Sequence, residues 1–237
     1  MLVLCVLRYL GRGWIVDDLE ESTAINHETI RQFIHAFICF GSDTLYNKYV
    51  IAPLTKEELE DCANEFQVSG LPGAIGSTDA THVVMECCSF RLRLLHMGYK
   101  LKHTARTYNM TVNHRRRILS TTTGHPARFN DKTLMRYDDF VSAIKLGCYD
   151  DTYEFQLYDY NEHGNEVIVK YKGCWLIVDN GYLKWSVTVP PLKKSDLKDE
   201  IQFSEWLESI RKDVECAFRI LKGRWRVLKY GIVARYW

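Results

Sequence analysis

One short segment near the end of the chain constrains the fold more than any other. Residues 173–178 read Gly-Cys-Trp-Leu-Ile-Val, an almost unbroken apolar run. Such a run is typical of a β-strand covered on both faces, as in the parallel part of an α/β sheet. It stops at Asp179, which Asn and Gly follow. We therefore expect a central strand with a carboxylate placed where the chain leaves the core.

Two acids, Asp79 and Asp179, occupy positions where a carboxylate is costly. Asp179 lies at the mouth of the predicted core, where an unpaired charge loses its hydration; the alternative is a turn-forming Asp in Asp-Asn-Gly. Asp79 falls in an alternating segment, 75–85, which predicts a strand with Ile75, Ser77 and Asp79 on one side. Because Asp is disfavoured in strands, something beside Asp79 should compensate it.

A third acid, Glu215, lies in the last long helical segment, predicted over 203–228. One face of this helix carries a single acid followed by three basic residues at helical spacing: Glu215, Arg219, Lys222 and Arg226. The alternative for Glu215 is a surface ion pair with Arg219, which contributes about 0.3 to 0.5 kcal/mol and requires no partner elsewhere.

The first fifty residues predict a separate all-helical unit. Helices are expected over 2–10, 16–22 and 27–40, with Asn26 as the cap of the third. This is the layout of a helix-turn-helix, although Ala24 stands in the turn where Gly is common. DNA contact by this unit and a plain three-helix packing module both fit the pattern.

Between these regions the sequence alternates between helix and strand patterns. An amphipathic helix is predicted over 54–67, starting at Thr55, and strands over 108–113 and 117–123. A β-hairpin is expected over 153–171, with its turn at 161–165. Together these elements indicate an α/β sheet with its functional groups at the strand ends.

Charge and cysteine content narrow the class of protein. The formal net charge is only +1, yet residues 90–145 carry twelve Lys and Arg against three acids. Such segregation suits a polyanionic ligand, and ordinary solvated faces are the alternative. The eight cysteines include no Cys-x-x-Cys pair and form no compact framework, so reduced thiols are expected. No uncharged apolar run reaches the about 18 residues of a membrane span.

Four motifs, in this order, resemble the DDE endonuclease domain of PIF/Harbinger transposases. They are Gly-Ser-Thr-Asp-Ala-Thr-His at 76–82, Gly-His-Pro-Ala-Arg-Phe-Asn-Asp at 124–131, Ile-Val-Asp-Asn-Gly-Tyr at 177–182, and Arg-Lys-Asp-Val-Glu-Cys-Ala-Phe-Arg-Ile-Leu-Lys-Gly-Arg-Trp at 211–225. The resemblance covers roughly 71–231, and 7–40 is similar to the helix-turn-helix that precedes that domain. Family members commonly have Gly where Arg219 stands.

The resemblance implies an α/β architecture, an RNase H-like mixed sheet flanked by helices and preceded by a small all-α unit. It divides the chain into a helix-turn-helix unit at 1–50, a connecting helix at 51–70 and a DDE nuclease domain at 71–237. Because the family's domain usually continues to another C-terminal helix, we expect this one to be truncated at its C-terminus.

The resemblance also implies the site. Asp79, Asp179 and Glu215 match the family's three metal-binding catalytic acids, and Asp131 matches a fourth acid that we expect to support the ligands rather than join them. Carboxylates are the hard oxygen ligands that Mg²⁺ and Mn²⁺ prefer. Two such ions would activate water for the first cut and a 3′-hydroxyl for strand transfer.

The implied partner is DNA, at the terminal inverted repeats of a transposon. A Myb-like DNA-binding protein, self-association and a nuclear location follow from the same resemblance. Alternatives are a host-adopted or catalytically inactive DNA-binding protein, and a genomic relic that does not fold stably.

Basic side chains should neutralise phosphates, although the run 115–117 also fits a nuclear-import patch. The expected DNA contacts are Arg31, Arg115, Arg116, Arg117, Lys222, Arg224 and Arg226.

Overall fold

The N-terminal unit consists of three helices whose bounds follow the sequence prediction closely. In the computed structural model, which describes residues 1–98, 102–192 and 194–231, these are α1 (Leu2–Arg12), α2 (Val16–Thr23) and α3 (His27–Phe40). The Asn26 side chain caps α3 by accepting a hydrogen bond from the Glu28 backbone amide at 2.9 Å. Ala24 adopts the left-handed conformation, with φ 53°, that a glycine would reach without strain.

A connecting region joins this unit to the sheet. A π-helical turn at Gly41–Leu45 leads into the short helix α4 (Tyr46–Tyr49), and α5 (Lys56–Val68) follows. The helix α5 begins with a capping box, in which the Thr55 hydroxyl and the Glu58 carboxylate each accept a hydrogen bond from the other residue's backbone amide. The predicted start at Thr55 is therefore confirmed.

The rest of the chain forms a mixed sheet flanked by helices. The strands are β1 (Ala74–Val84), β2 (Ala105–Val112), β3 (Ile118–Thr121), β4 (His125–Pro126), β5 (Glu154–Tyr160), β6 (Glu166–Lys172), β7 (Trp175–Val178) and β8 (Thr188–Val189). The strand order is β3-β2-β1-β7-β8, with β4 paired to β2, and a separate hairpin is formed by β5 and β6. The pairs β1–β2 and β2–β3 are antiparallel, whereas β1–β7 and β7–β8 are parallel. This architecture, with its N-terminal helices, is consistent with an RNase H-like fold and confirms the predicted class.

The strand β7 is buried on both faces, as its apolar run predicts. Leu176 and Val178 pack with Ile75 in a cluster that includes residues of α5, while Ile177 packs on the other side against Leu207 and Ile210. The prediction that Ile75 shares a side with Asp79 is wrong. A register shift between residues 74 and 76 interrupts the alternation of side chains between the two faces of β1. Ile75 therefore lies on the face opposite to Asp79 and packs with Leu176 and Val178.

The remaining helices depart most from the sequence prediction. Three short ones, α6 (Phe90–His96), α7 (Asp131–Arg136) and α8 (Asp139–Lys145), lack the length that makes a periodic pattern visible. The helix predicted over 203–228 is two helices, α9 (Lys198–Arg224) and α10 (Arg226–Tyr230), because Trp225 takes an extended backbone conformation with φ −114°. Residues 232–237, the end of the predicted nuclease domain, lie outside the described residues.

Among the described residues, no helix combines the length and the apolar composition that crossing a bilayer requires.

Candidate active site

Asp79 and Asp179 lie side by side, at equivalent positions on two neighbouring parallel strands. Ser77 pairs with Ile177, and Thr78 with Val178, so the two acids come next on their strands. Side chains two residues apart in a strand share a face, which places both acids on the side of Ser77 and Ile177. This is the side covered by α9, because Ile177 packs against its buried residues.

The Asp79 carboxylate is largely withdrawn from water, with 22% of its side chain exposed. Burial is the main reason that the pKa of Asp79 is raised to about 6, and the negative charges of Asp179 and Asp131 act in the same direction. A hydrogen bond from the Ala80 amide to Oδ1, at 2.8 Å, and the charge of Arg211 oppose this rise. The three aspartates are therefore near enough to interact electrostatically.

Arg211 joins the strand acid to the helix acid. Its Nη1 donates to Asp79 Oδ2 at 3.1 Å, and its Nη2 donates to Glu215 Oε1 at 2.9 Å. Glu215 is thus paired one turn back along α9, rather than with Arg219 as the sequence alternative had it. Arg211 was not among the site residues predicted from the sequence. Its position four residues before Glu215 on a helix indicates an ion pair with that acid. Only the fold shows that Arg211 also bonds Asp79.

The loop that carries Asp179 is in close contact with Asp131. Asp131 is the first residue of α7, and Asn130 caps that helix by accepting a hydrogen bond from the Thr133 amide. A Cβ added at Gly181 would collide with the Asp131 carboxylate. Asp131 therefore lies beside the loop, and Gly181 makes this close approach sterically feasible. The supporting role of Asp131 stays a prediction.

A buried polar network underlies the same loop. The Tyr182 hydroxyl donates to Asn109 Oδ1 at 2.6 Å, and Asn109 Nδ2 donates to Asp138 Oδ2 at 2.5 Å. The other carboxylate oxygen of Asp138 caps α8 by accepting from the backbone amides of Phe140 and Val141. Burial, followed by the charges of the nearby aspartates, raises the pKa of Tyr182 well above its usual value. The tyrosine is therefore a neutral donor that ties the loop to β2 and α8.

The donor set suits a hard divalent cation, since it consists of carboxylate oxygens. In the part of the chain that the structure describes, however, no three His, Cys, Asp or Glu side chains are grouped closely enough to hold a metal ion. The Arg211 guanidinium lies between two of the predicted ligands, Asp79 and Glu215. The carboxylates are therefore of the chemical type that binds a divalent metal ion. In this structure the positive charge beside Asp79 and Glu215 is that of Arg211.

Comparison with known families identifies the family of the chain. The model of the family described as DDE superfamily endonuclease matches residues 78–235, well over half of the chain. The chain belongs to the DDE superfamily of endonucleases. The matched region contains Asp79, Asp131, Asp179 and Glu215, and the family resemblance carried by the sequence motifs is confirmed.

One curated relative of this DDE superfamily endonuclease is a protein named ALP1-like from Arabidopsis thaliana. The two are 23% identical over 234 residues, which is 95% of this chain and 53% of the relative. The chain therefore spans about half the length of the curated relative that it matches. No solved structure shows a significant match.

Three of the six arginines predicted to contact DNA form ion pairs with described acids. Arg31 pairs with Glu28 one turn earlier on α3. Arg115, in the turn between β2 and β3, pairs with Asp61 and Glu65 of α5. In the same turn, the Arg116 Nε lies 3.6 Å from the carboxylate of Asp213 on α9, and the Arg117 amide donates to the Asn113 side chain. Their role in DNA contact stays a prediction.

Three predicted DNA contacts lie along the C-terminal helices. Lys222 Nζ donates to the backbone carbonyl of His82 on β1 at 2.9 Å, and partial burial lowers the pKa of this lysine. His82 stands three residues beyond Asp79, about 10 Å along the strand. The Arg224 guanidinium is 6.0 Å from the ring centroid of Trp225, and Arg226 opens α10. Lys222 is thus placed against β1, three residues beyond Asp79.

Proposed function

We propose that this chain is a divalent-metal-dependent DNA endonuclease of the transposase type, with Asp79, Asp179 and Glu215 as catalytic metal ligands. One observation carries the proposal. Two acids that are remote in the sequence lie at neighbouring positions of adjacent parallel strands, Asp79 within β1 and Asp179 directly after β7, and Arg211 of α9 joins Asp79 to a third acid, Glu215. Carboxylates brought together in this way could share the divalent ions that phosphodiester cleavage uses.

The proposed cofactor is a pair of Mg²⁺ or Mn²⁺ ions. When bound, such a pair supplies an activated oxygen nucleophile and stabilises the leaving oxygen of the phosphodiester. Neighbouring residues position the acids that would bind these ions. The Ala80 amide holds Asp79 Oδ1 and leaves Oδ2 directed at α9. Tyr182 and its buried partners fix the loop after Asp179, and Asp131 packs against that loop.

The proposed substrate is DNA at the terminal inverted repeats of a transposon, cut and then joined to a target. Family membership supports a nucleic-acid substrate, and the predicted basic residues, among them Lys222 near Asp79, would contact phosphates without reading sequence. A nuclear location, a Myb-like DNA-binding partner and self-association are proposed from the family resemblance, as is a DNA-contacting role for α3 of the N-terminal unit.

The test is nicking of supercoiled plasmid by the purified chain in Mn²⁺ or Mg²⁺, against an EDTA control. We expect Asp79→Asn, Asp179→Asn and Glu215→Gln each to abolish nicking. Glu162→Gln, in the exposed hairpin turn, is the matched control and should retain it. Nicking that persists in all three site variants would show that these acids do not carry the activity.

A second candidate is a transposase-derived DNA-binding protein without cutting activity. The ion pairs of Arg211 with Asp79 and Glu215 favour it, because they engage two of the three proposed ligands. Salt-sensitive DNA binding with no metal-dependent product would support this second function.

A further inference from the structure

Arg211 holds a largely enclosed positive charge beside the proposed ligands. Only 14% of its side chain is exposed, compared with 22% for Asp79 and 40% for Glu215. It bonds both acids through different nitrogens, at 3.1 Å and 2.9 Å. The arginine thus joins β1 to α9 through the two carboxylates.

Arg211 engages one carboxylate oxygen of each of two proposed metal ligands. Asp79 Oδ1 already accepts the Ala80 amide, so Oδ2 is the oxygen directed at α9, and Arg211 bonds it. A hard divalent ion binds carboxylate oxygen at about 2.1 Å. An ion at that distance from Asp79 and Glu215 would repel the guanidinium, because both cations would approach the same oxygens.

Displacement of the arginine would not require its helix to move. Leu207, Ile210 and Val214 are buried and anchor α9 in the core, so such a displacement would be confined to the Arg211 side chain. The Arg211 Nε is buried and has no hydrogen-bond partner, so one donor is left unsatisfied in the paired state. Release of the guanidinium would hydrate that donor.

We propose that Arg211 is a built-in competitor for the metal site, which neutralises Asp79 and Glu215 in the metal-free protein and must be displaced when a divalent ion binds. The inference rests on the proposed function, since it takes Asp79 and Glu215 as metal ligands. It assigns to Arg211 the control of the ion concentration at which the site fills.

The direct test is Mn²⁺ binding to the full chain, measured by isothermal titration calorimetry at pH 8.5, where the Asp79 carboxylate is ionised. We expect Arg211→Met to bind Mn²⁺ about tenfold to a hundredfold more tightly than the wild type, because a charge-assisted hydrogen bond no longer competes. Arg211→Lys, which keeps the charge but not the two-pronged geometry, should fall between them. The matched control Arg12→Met, exposed at the end of α1, should bind as the wild type does.

Equal or weaker Mn²⁺ binding by Arg211→Met, with binding still abolished by Asp79→Asn, would overturn the competition and leave the proposed function standing. Absence of Mn²⁺ binding in every variant would instead refute the proposed function. A measurement on the wild type covers the case in which Arg211→Met does not fold. In ¹⁵N-arginine-labelled protein, the restrained Nη–H resonances of Arg211, assigned with Arg211→Lys, should be lost at saturating Mg²⁺; their persistence would also overturn the competition.

Discussion

Replacing Asp79 by Asn should stabilise the metal-free protein at alkaline pH. Burial raises the pKa of Asp79 from 3.8 to about 6, so the folded state holds this proton more tightly than the unfolded state. Stability from this group is therefore fully present below about pH 4 and is lost as the pH rises through 6. A shift of about two units corresponds to roughly 3 kcal/mol.

The expected gain is smaller than that, because 22% of the Asp79 side chain is exposed and Asn leaves Arg211 with one partner. We expect Asp79→Asn to raise the free energy of unfolding by about 1 to 3 kcal/mol at pH 8, and to leave it nearly unchanged at pH 4.

The assay is urea denaturation at both pH values in EDTA. The matched control is Asp151→Asn at an exposed position, which should change the stability by less than about 0.5 kcal/mol at either pH. A variant that is less stable than the wild type at pH 8 would show that the ion pair with Arg211 outweighs the desolvation of Asp79. A gain that is equal at pH 4 and pH 8 would show that ionisation of Asp79 is not its source.

Two other substitutions probe the loop that carries Asp179. Tyr182→Phe should lower the free energy of unfolding by about 1 to 3 kcal/mol, since it leaves Asn109 Oδ1 buried without its donor. The assay is urea denaturation, in which the control Tyr158→Phe, at an exposed position, should have no effect. Equal losses of stability in the two variants would contradict the buried network. Gly181→Ala should lower the free energy of unfolding by less than about 1 kcal/mol, because the atom that the added methyl meets is the end of the Asp131 side chain, which can turn away. It should weaken Mn²⁺ binding, since the Asp131 carboxylate is displaced from its place beside the loop. Wild-type affinity in calorimetry would mean that the position of this carboxylate does not matter for the site.

Local pattern was enough to predict much of the architecture. The apolar run at residues 175–178 marks a strand buried on both faces because no polar side chain interrupts it. The capping residues Asn26 and Thr55 mark helix starts, since each bonds backbone groups within a few residues. The hairpin was predictable for the same reason: its turn and alternation are local.

The site was predictable only as a set of acids. Family motifs named Asp79, Asp179, Glu215 and the supporting Asp131, and the matched family confirms the resemblance behind them. The short helices α6, α7 and α8 could not be predicted, because one or two turns give no clear period. The break at Trp225 was also missed, since the apolar pattern continues through it.

The sequence by itself determined the type of chain: a mixed α/β sheet after a helical unit, with strand-end acids and a helix acid in the order of a DDE endonuclease. These features depend on neighbours in the sequence, so a linear pattern contains them. Only the tertiary structure decided that a bulge turns β1 so that Asp79 faces α9, and that Arg211 reaches an acid 132 residues away. Such contacts depend on strand register and helix placement, and no spacing along the chain specifies them.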